Sequence, residues 1–353
     1  MNLAIIAITR NGARLGARLQ NMAVDADLFV AEKFVTEAGV SARPFAGELR
    51  ELVRANWRKY QGFVFIMATG IVVRVIAPHL QAKDRDPAVV VVDEAGSFAI
   101  SLLSGHLGGA NELTRDVAEL LGGQAVITTA TDVNELPSFD LMAKEEGWVI
   151  DDLDRVKSLN ALLLAGEEIA VVDPSGRVAA RFAGRGRLSI HANFVAALES
   201  GAAGFVFVTN RQLPPQAQAG KLLVLRPKNL ALGIGCNRET SAGEIAEVVG
   251  VQLKQLFLSL RSIAVIGTAA AKREEAGLLA FAGEHGIPLR FFESHELNAV
   301  AVPSPPSAHA LGAIGAIGVA EPAALLAAGS GRLLLKKVKS GNVTLAVAEI
   351  LET

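Results

Sequence analysis

One cysteine in 353 residues, Cys236, excludes an internal disulfide framework and any CxxC metal pair. A reducing compartment is the simplest fit, so a cytoplasmic location is expected. Aromatic residues are only 5% of the chain, and the net charge of −2 comes without a basic tail or stripe. Nucleic acid is therefore not an expected partner: the electrostatic footprint and the stacking side chains are both missing. Long apolar runs are absent too. The best of them, "GFVFIMATGIVVRVIAP", is broken by Gly70, Arg74 and Pro78, short of the ~18 uninterrupted residues that a membrane span needs. No membrane association is expected. The opening "MNLAIIAITR" has neither a basic leader nor a small-residue cleavage site and reads as a first strand. GxxxxGK[ST] and HExxH do not occur, which excludes a P-loop and a zincin.

What is abundant is aliphatic. Hydrophobic residues make up 51% and charged ones 20%, enough to fill cores and too apolar for disorder. The length exceeds one comfortable core. Val/Ile/Ala-rich runs such as "LAIIAIT", "GFVFIMA" and "AVVVV" alternate with amphipathic helical stretches, the pattern of parallel sheets covered by helices. The expected fold class is α/β in three parts. A doubly wound N-terminal domain spans 1–138, a small α/β middle segment spans 139–225, and a separate C-terminal α/β domain spans 226–353. "NRQLPPQAQAGK" is the best linker, with a boundary near residue 225. Ser241 with Glu244 three residues on predicts a capping box, and "KSGNV" predicts a hairpin turn at 340–342.

Two strand–loop–helix junctions carry polar residues. In "SGHLGGANELTRD", the free backbone N–H groups at a helix mouth suit anionic oxygens. Gly105, Gly108 and Gly109 would let a ligand approach the backbone, and Ser104 precedes them. His106 is the natural proton carrier near neutral pH. Asn111 and Arg115 lie four apart on the helix, with Glu112 one position round. Spacing leaves two readings equally open: a proton-transferring histidine, or a loop histidine bonded to a neighbour in a turn that glycines make. The second junction, "GIGCNRET", fails as a dinucleotide fingerprint because Arg238 stands where the third glycine belongs. That counts against a nucleotide-dependent oxidoreductase. Gly235 and Arg238 could bind a carboxylate, although a capped helix with a surface arginine is the commoner outcome. Cys236 reads as a small buried filler. Arg74, within "GIVVRVIAP", either snorkels to solvent or meets an acid.

"FIMATGIVVRVIAP", "DPAVVVVDEAG", "SLLSGHLGGANELTRDVAELL" and "AVITTATD" together resemble the N-terminal part of the cobalt-precorrin-5A hydrolase family. "LALGIGCNRET", "KREEAGLLAFA", "GVAEPAALLAA" and "KSGNVTLAVAE" resemble its C-terminal domain. The middle segment matches in position and length more than in motif. One departure is Ala270 in "GTAAAKREE", where an acidic residue is expected. The resemblance implies a hydrolase of cobalamin biosynthesis. Water opens a ring A δ-lactone of a cobalt tetrapyrrole, and the former bridge carbon leaves as acetaldehyde. It implies His106 as general base, oriented or relayed by Glu112. The Gly108 and Gly109 N–H groups with Asn111 would receive the lactone oxyanion, Arg74, Arg115 and Arg238 would hold peripheral carboxylates, and Ser104, Gly105 and Gly235 are further expected substrate-binding residues. The cobalt belongs to the substrate, so neither a metal site nor a cofactor is expected of the chain itself. Cobalt-precorrin-5A is the expected small-molecule partner, and neighbouring pathway enzymes are candidate protein partners. The alternative is a non-catalytic tetrapyrrole carrier of the same pathway.

Overall fold

A computed structural model describes residues 1–22, 25–82, 85–214, 221–329 and 331–351. It forms two compact units, Met1–Met142 and Ala143–Thr353, the second holding two sheets. No helix among the described residues is long and apolar enough to cross a membrane. The α/β class expected from the alternating pattern is what the chain adopts.

The first unit carries β1 (Leu3–Ala7), β2 (Ala26–Ala31), β3 (Arg43–Phe45), β4 (Gly62–Ile66), β5 (Ala88–Val92), β6 (Phe98–Leu103) and β7 (Gln124–Val126), in the order β3-β2-β1-β4-β5-β6-β7. The chain runs outward from β1 to β3 and then returns to the other side of β1, which makes the sheet doubly wound. β1, β4 and β5 are buried along their whole length because helices cover both faces, hence their unbroken apolar runs. Helices Arg10–Met22 and Ala110–Leu121 pack on one face through Ala13, Leu19, Leu113 and Val117. Helices Leu49–Asn56 and Thr69–Ile76 pack on the other through Val53, Val72 and Val75.

Two strands, β6 and β7, run against the other five. β6 is antiparallel to β5, with Val92 opposite Ala99 and Val89 opposite Leu103, and β7 follows β6 in parallel. The loops leaving β6 and β7 therefore emerge at the rim where β1, β4 and β5 begin. The loops leaving β1, β4 and β5 emerge at the opposite rim. This reversal decides where each candidate residue lies.

The second unit begins with β8 (Val149–Ile150), β9 (Glu168–Val172), β10 (Arg187–Ile190), β11 (Gly204–Val208) and β12 (Leu222–Arg226), ordered β10-β9-β11-β12-β8 with only β8 antiparallel. The Pro/Gln-rich segment expected as a linker leads from β11 to its parallel neighbour β12, and residues 215–220 of it lie outside the described residues. Its described start is tied down: Arg211 bridges to Leu258 and Leu213 is buried. The proline signal marks a crossover within a sheet, and residue 225 falls inside β12. The buried Arg226 joins Asp151 at 2.7 Å and donates to the Thr209 carbonyl, while Arg261 reaches the other Asp151 oxygen at 3.0 Å.

The last sheet is built from β13 (Leu230–Cys236), β14 (Ile263–Ala269), β15 (Leu289–Phe292), β16 (Arg332–Ser340) and β17 (Val343–Glu349), ordered β15-β14-β13-β17-β16. Helix Ala320–Ala328 lies against it through Ala320, Ala323 and Ala324, close enough that a Cβ on Gly233 would overlap the Ala320 carbonyl oxygen and sit 2.6 Å from the Ala324 nitrogen. Ser241 caps helix Ala242–Gln255 by accepting the Glu244 N–H at 3.2 Å. The return half of the capping box is missing, because the Glu244 carboxylate accepts the Asn342 N–H of the β16–β17 turn at 2.8 Å instead.

Candidate functional site

Ser104 ends β6 with a φ of 59°, which turns the chain into a tight loop. A Cβ on Gly108 would sit 2.7 Å from the Ser104 carbonyl oxygen, and one on Gly105 would sit 2.7 Å from Asn111 Oδ1. Only glycine fits at either place. Gly109, at φ 87°, leads into helix Ala110–Leu121. The N–H of Gly109 donates to the His106 carbonyl, that of Ala110 to Ser104, and that of Asn111 to Gly105, at 3.0–3.1 Å. The helix mouth thus spends most of its donors on closing its own loop. Among the described residues, the Gly108 N–H makes no hydrogen bond and the buried Ser104 Oγ has no partner.

This loop holds His106 between two acids. Nε2 lies 3.0 Å from Asp132 Oδ2 and 3.1 Å from Thr131 Oγ1, while Nδ1 lies 3.3 Å from Asp140 Oδ2. Asp132 and Thr131 belong to the short helix Ala130–Val133 that follows β7, and Asp140 to the first turn of helix Phe139–Glu145. Asp132 also receives Arg115 at 2.6 Å and the Asn111 amide at 2.8 Å. The other amide hydrogen of Asn111 goes to Thr129 Oγ1 at 3.2 Å, and its Oδ1 accepts from Ser101 at 2.6 Å. His106, Asp132 and Asp140 keep 14%, 18% and 14% of their side-chain surface exposed, so the cluster is set in the surface and still reachable.

Burial by itself would lower the His106 pKa, but hydrogen bonds and charge from Asp140 and then Asp132 outweigh it, and the imidazole is pushed above 6.5. Asp140 mirrors this: burial would raise it, and His106 holds it below 3.8. The stabilisation of the pair is therefore complete between those two values. It is lost as pH rises through the raised His106 pKa, and lost again as pH falls through the depressed Asp140 pKa.

Several expected roles change. Glu112 is exposed and makes no hydrogen bond or ion pair with His106 among the described residues; Asp132 and Asp140 are the acids on the imidazole. Asn111 is 3% exposed and already uses both amide hydrogens and its carbonyl, so it has nothing left for a lactone oxygen. The Gly109 N–H is likewise committed. Arg115 is engaged with Asp132. Arg74 is not brought to this site. It is exposed on helix Thr69–Ile76, donates to the Gly70 carbonyl at 2.9 Å, and lines a hollow with Glu48, Leu49 and Ile71. That hollow adjoins a 420 Å³ crevice at the carboxyl ends of β1, β4 and β5, floored by Ile66, Met67 and Val91, on the rim opposite His106.

Asp132 and Asp140 were not singled out from sequence. They lie 26 and 34 residues beyond His106, outside any local spacing rule. The available signal was Asp132 closing the segment "AVITTATD", a polar end to a strand pointing at the same mouth.

Three family profiles match in succession: Cobalamin synthesis G N-terminal over residues 51–132, the cobalamin biosynthesis central region over 137–227, and Cobalamin synthesis G C-terminus over 230–348. A cobalt-precorrin-5A hydrolase from Priestia megaterium is 39% identical over 98% of this chain and 94% of its own length. The chain belongs to the cobalt-precorrin-5A hydrolase family. The cobalt-precorrin-5A hydrolase of Salmonella typhimurium is 32% identical over 98% of this chain and 97% of its own. A solved structure of a cobalamin biosynthesis protein G homolog from Sulfolobus solfataricus aligns over 99% of this chain and 97% of its own at 23% identity, with a TM-score of 0.38.

In this member of the cobalt-precorrin-5A hydrolase family, the C-terminal junction is built differently. Arg238 is exposed and makes no hydrogen bond or ion pair among the described residues. Next to it, Glu239 adopts φ 59° and donates its N–H to Glu275, which also meets Lys272 at 3.0 Å. Gly235 is not a close-approach glycine, since a Cβ there would meet Val319 at an ordinary 3.4 Å. Burial pushes the Cys236 thiol up, which makes it a poor nucleophile.

Proposed function

We propose that this chain hydrolyses cobalt-precorrin-5A, opening the ring A δ-lactone and releasing the bridge carbon with its methyl group as acetaldehyde to give cobalt-precorrin-5B. The observation that carries the reading is a partly exposed histidine clasped by two carboxylates on a glycine-tight loop, in a chain of this family. The reaction adds water: its hydroxyl goes to the acyl carbon, the acyl–oxygen bond breaks, and the freed bridge oxygen becomes the aldehyde carbonyl as the bond from bridge carbon to ring breaks. The contracted macrocycle keeps that electron pair and takes a proton. His106 moves protons at the bridge oxygen. The backbone N–H groups of residues 105–108, which make no hydrogen bond among the described residues, supply the donors to the acyl oxygen, whereas the buried Ser104 hydroxyl is out of its reach. The cobalt enters with the substrate.

Acetaldehyde trapped by an NADH-linked alcohol dehydrogenase measures this directly. The expected result is many equivalents of acetaldehyde per chain. Binding of one macrocycle per chain with no acetaldehyde would overturn the enzyme reading in favour of a carrier.

Arg238 is exposed and makes no hydrogen bond or ion pair among the described residues, though its charge acts on Glu275, so its guanidinium is free to take a peripheral carboxylate. Arg238→Ala should weaken substrate binding by about 1–3 kcal/mol, typical of a charge-assisted bond, while leaving the melting temperature within error. Arg238→Lys should recover only part, because the forked geometry is lost. Equal KM values in all three proteins would remove Arg238 from the substrate site.

A further inference from the structure

We infer that Asn111 is a positioning residue for His106: it seats the short helix Ala130–Val133, so that Asp132 meets the imidazole at Nε2, and Ser101 anchors its amide to the sheet. The inference rests on the hydrolase reading above and adds to it the part of the chain that aims the histidine. Asn111 makes no hydrogen bond to His106 among the described residues; it acts through Asp132.

The segment that carries Asp132 needs outside support. Four residues make a single helical turn, too short to hold its shape by itself in water. Thr129, at its cap, spends no side-chain bond on its own helix. The Thr129 hydroxyl instead accepts one Asn111 amide hydrogen at 3.2 Å, and Asp132 Oδ2 accepts the other at 2.8 Å. One amide therefore holds the turn at two points, its cap and its third residue. Arg115 also reaches Asp132, at 2.6 Å, but its side chain is 56% exposed, and an ion pair so open to water holds geometry weakly. Asn111 is buried, where water does not compete for its bonds.

The far end of the amide is fixed as firmly. Ser101 lies on β6, within the sheet, and its hydroxyl donates to Asn111 Oδ1 at 2.6 Å. The loop makes room for this arrangement. A Cβ on Gly105 would lie 2.7 Å from Asn111 Oδ1 and 3.1 Å from its Nδ2, so that glycine is needed by the amide itself. A continuous path then runs from the sheet through Ser101, Asn111 and Asp132 to the imidazole. Its last link has a direction: a carboxylate only accepts, so Nε2, 3.0 Å from Asp132, carries a hydrogen. Asp140 meets the opposite nitrogen, so a change confined to Nε2 reports on the Asp132 side.

The test uses the full chain with 15N-labelled histidine, with the signal of His106 identified by its loss in His106→Gln among the six histidines. In the unmodified chain the Nε2 proton should give a resolved resonance that exchanges slowly with water. Asn111→Ala should bring that proton into fast exchange. It should also lower kcat for acetaldehyde release ~10²-fold, the cost of a small misplacement of a reacting group, with KM nearly unchanged. Ser101→Ala is the milder case. Ser101 makes no bond to His106 or Asp132 among the described residues, so its effect has to pass through the amide. It should speed exchange of the same proton and lower kcat by a smaller factor, and Ser101→Thr, which keeps the hydroxyl, should restore both. Combined with Asn111→Ala, Ser101→Ala should add nothing further. A protected Nε2 proton with unchanged kcat in folded Asn111→Ala, or a Ser101→Ala effect that adds in full to that of Asn111→Ala, overturns the inference. Should Asn111→Ala not fold, an unchanged proton and kcat in Ser101→Ala overturns it alone. Absence of acetaldehyde from the unmodified chain at every pH would overturn the hydrolase reading instead, and the Nε2 proton in the same variants would still decide whether Asn111 places the ring.

Discussion

Replacing His106 by alanine should lower acetaldehyde release ~10²–10⁴-fold, the usual share of a proton-transferring group, with KM nearly unchanged. Some stability is lost as well, because Asp132 and Asp140 then face one another without the cation between them. A second substitution separates the two effects. In His106→Ala combined with Asp140→Asn, the repulsion is relieved and the melting temperature should recover most of its loss, yet turnover should stay at the low level. Single-turnover acetaldehyde release and thermal melting of the four proteins check this. Full turnover in folded His106→Ala would remove the histidine from the chemistry.

Gly233→Ala should disrupt the C-terminal domain, costing about 3 kcal/mol or more, the upper end for overpacking. The reason is the nature of what the new methyl group meets. Side chains can rotate away, but the Ala320 carbonyl and the Ala324 nitrogen are helix backbone, and helix Ala320–Ala328 is also seated on Gly267 through Ala323. The helix has to lift off the sheet as a body, uncovering the small-residue face that Ala231, Ala346 and Ala348 share with it. Gly235→Ala is the control, two residues along the same strand. Its methyl group would find ordinary contact with Val319, so its urea midpoint should shift by less than a quarter of the Gly233→Ala change. Similar midpoints for the two variants would show that the close approach is not what holds this helix.

The parts of the fold that composition dictates were readable in advance. Strands buried on both faces must be continuously apolar, so β1, β4, β5 and β13 announced themselves. The loop around His106 was readable for the same kind of reason: glycines at 105, 108 and 109 have a local geometric cause. The direction of β6 was legible from its turn: "AVVVVDEAGSFAISLL" reads as two strands joined by a tight turn at Asp93 to Gly96, too short for a parallel crossover, and β6 does run against β5. What that reversal does, placing Arg74 and His106 on opposite rims, takes the whole strand order to see. The two aspartates escaped because tertiary folding, not spacing, carries them to the histidine. Glu112 was chosen for nearness in sequence, and it is left exposed. The proline-rich stretch misled in another way, since a connection between two parallel strands of one sheet can carry the same residue types as a linker.

The reversal of β6 also bears on how such a chain can be varied. Residues 8–9, 67–71 and 93–94 crown one rim of the first sheet, and the histidine clasp sits on the other. Substitutions among the former touch neither His106 nor its acids. Each end can therefore be altered by itself: a library at residues 8–9, 67–71 and 93–94 probes one rim of the sheet while the clasp at the other is left intact.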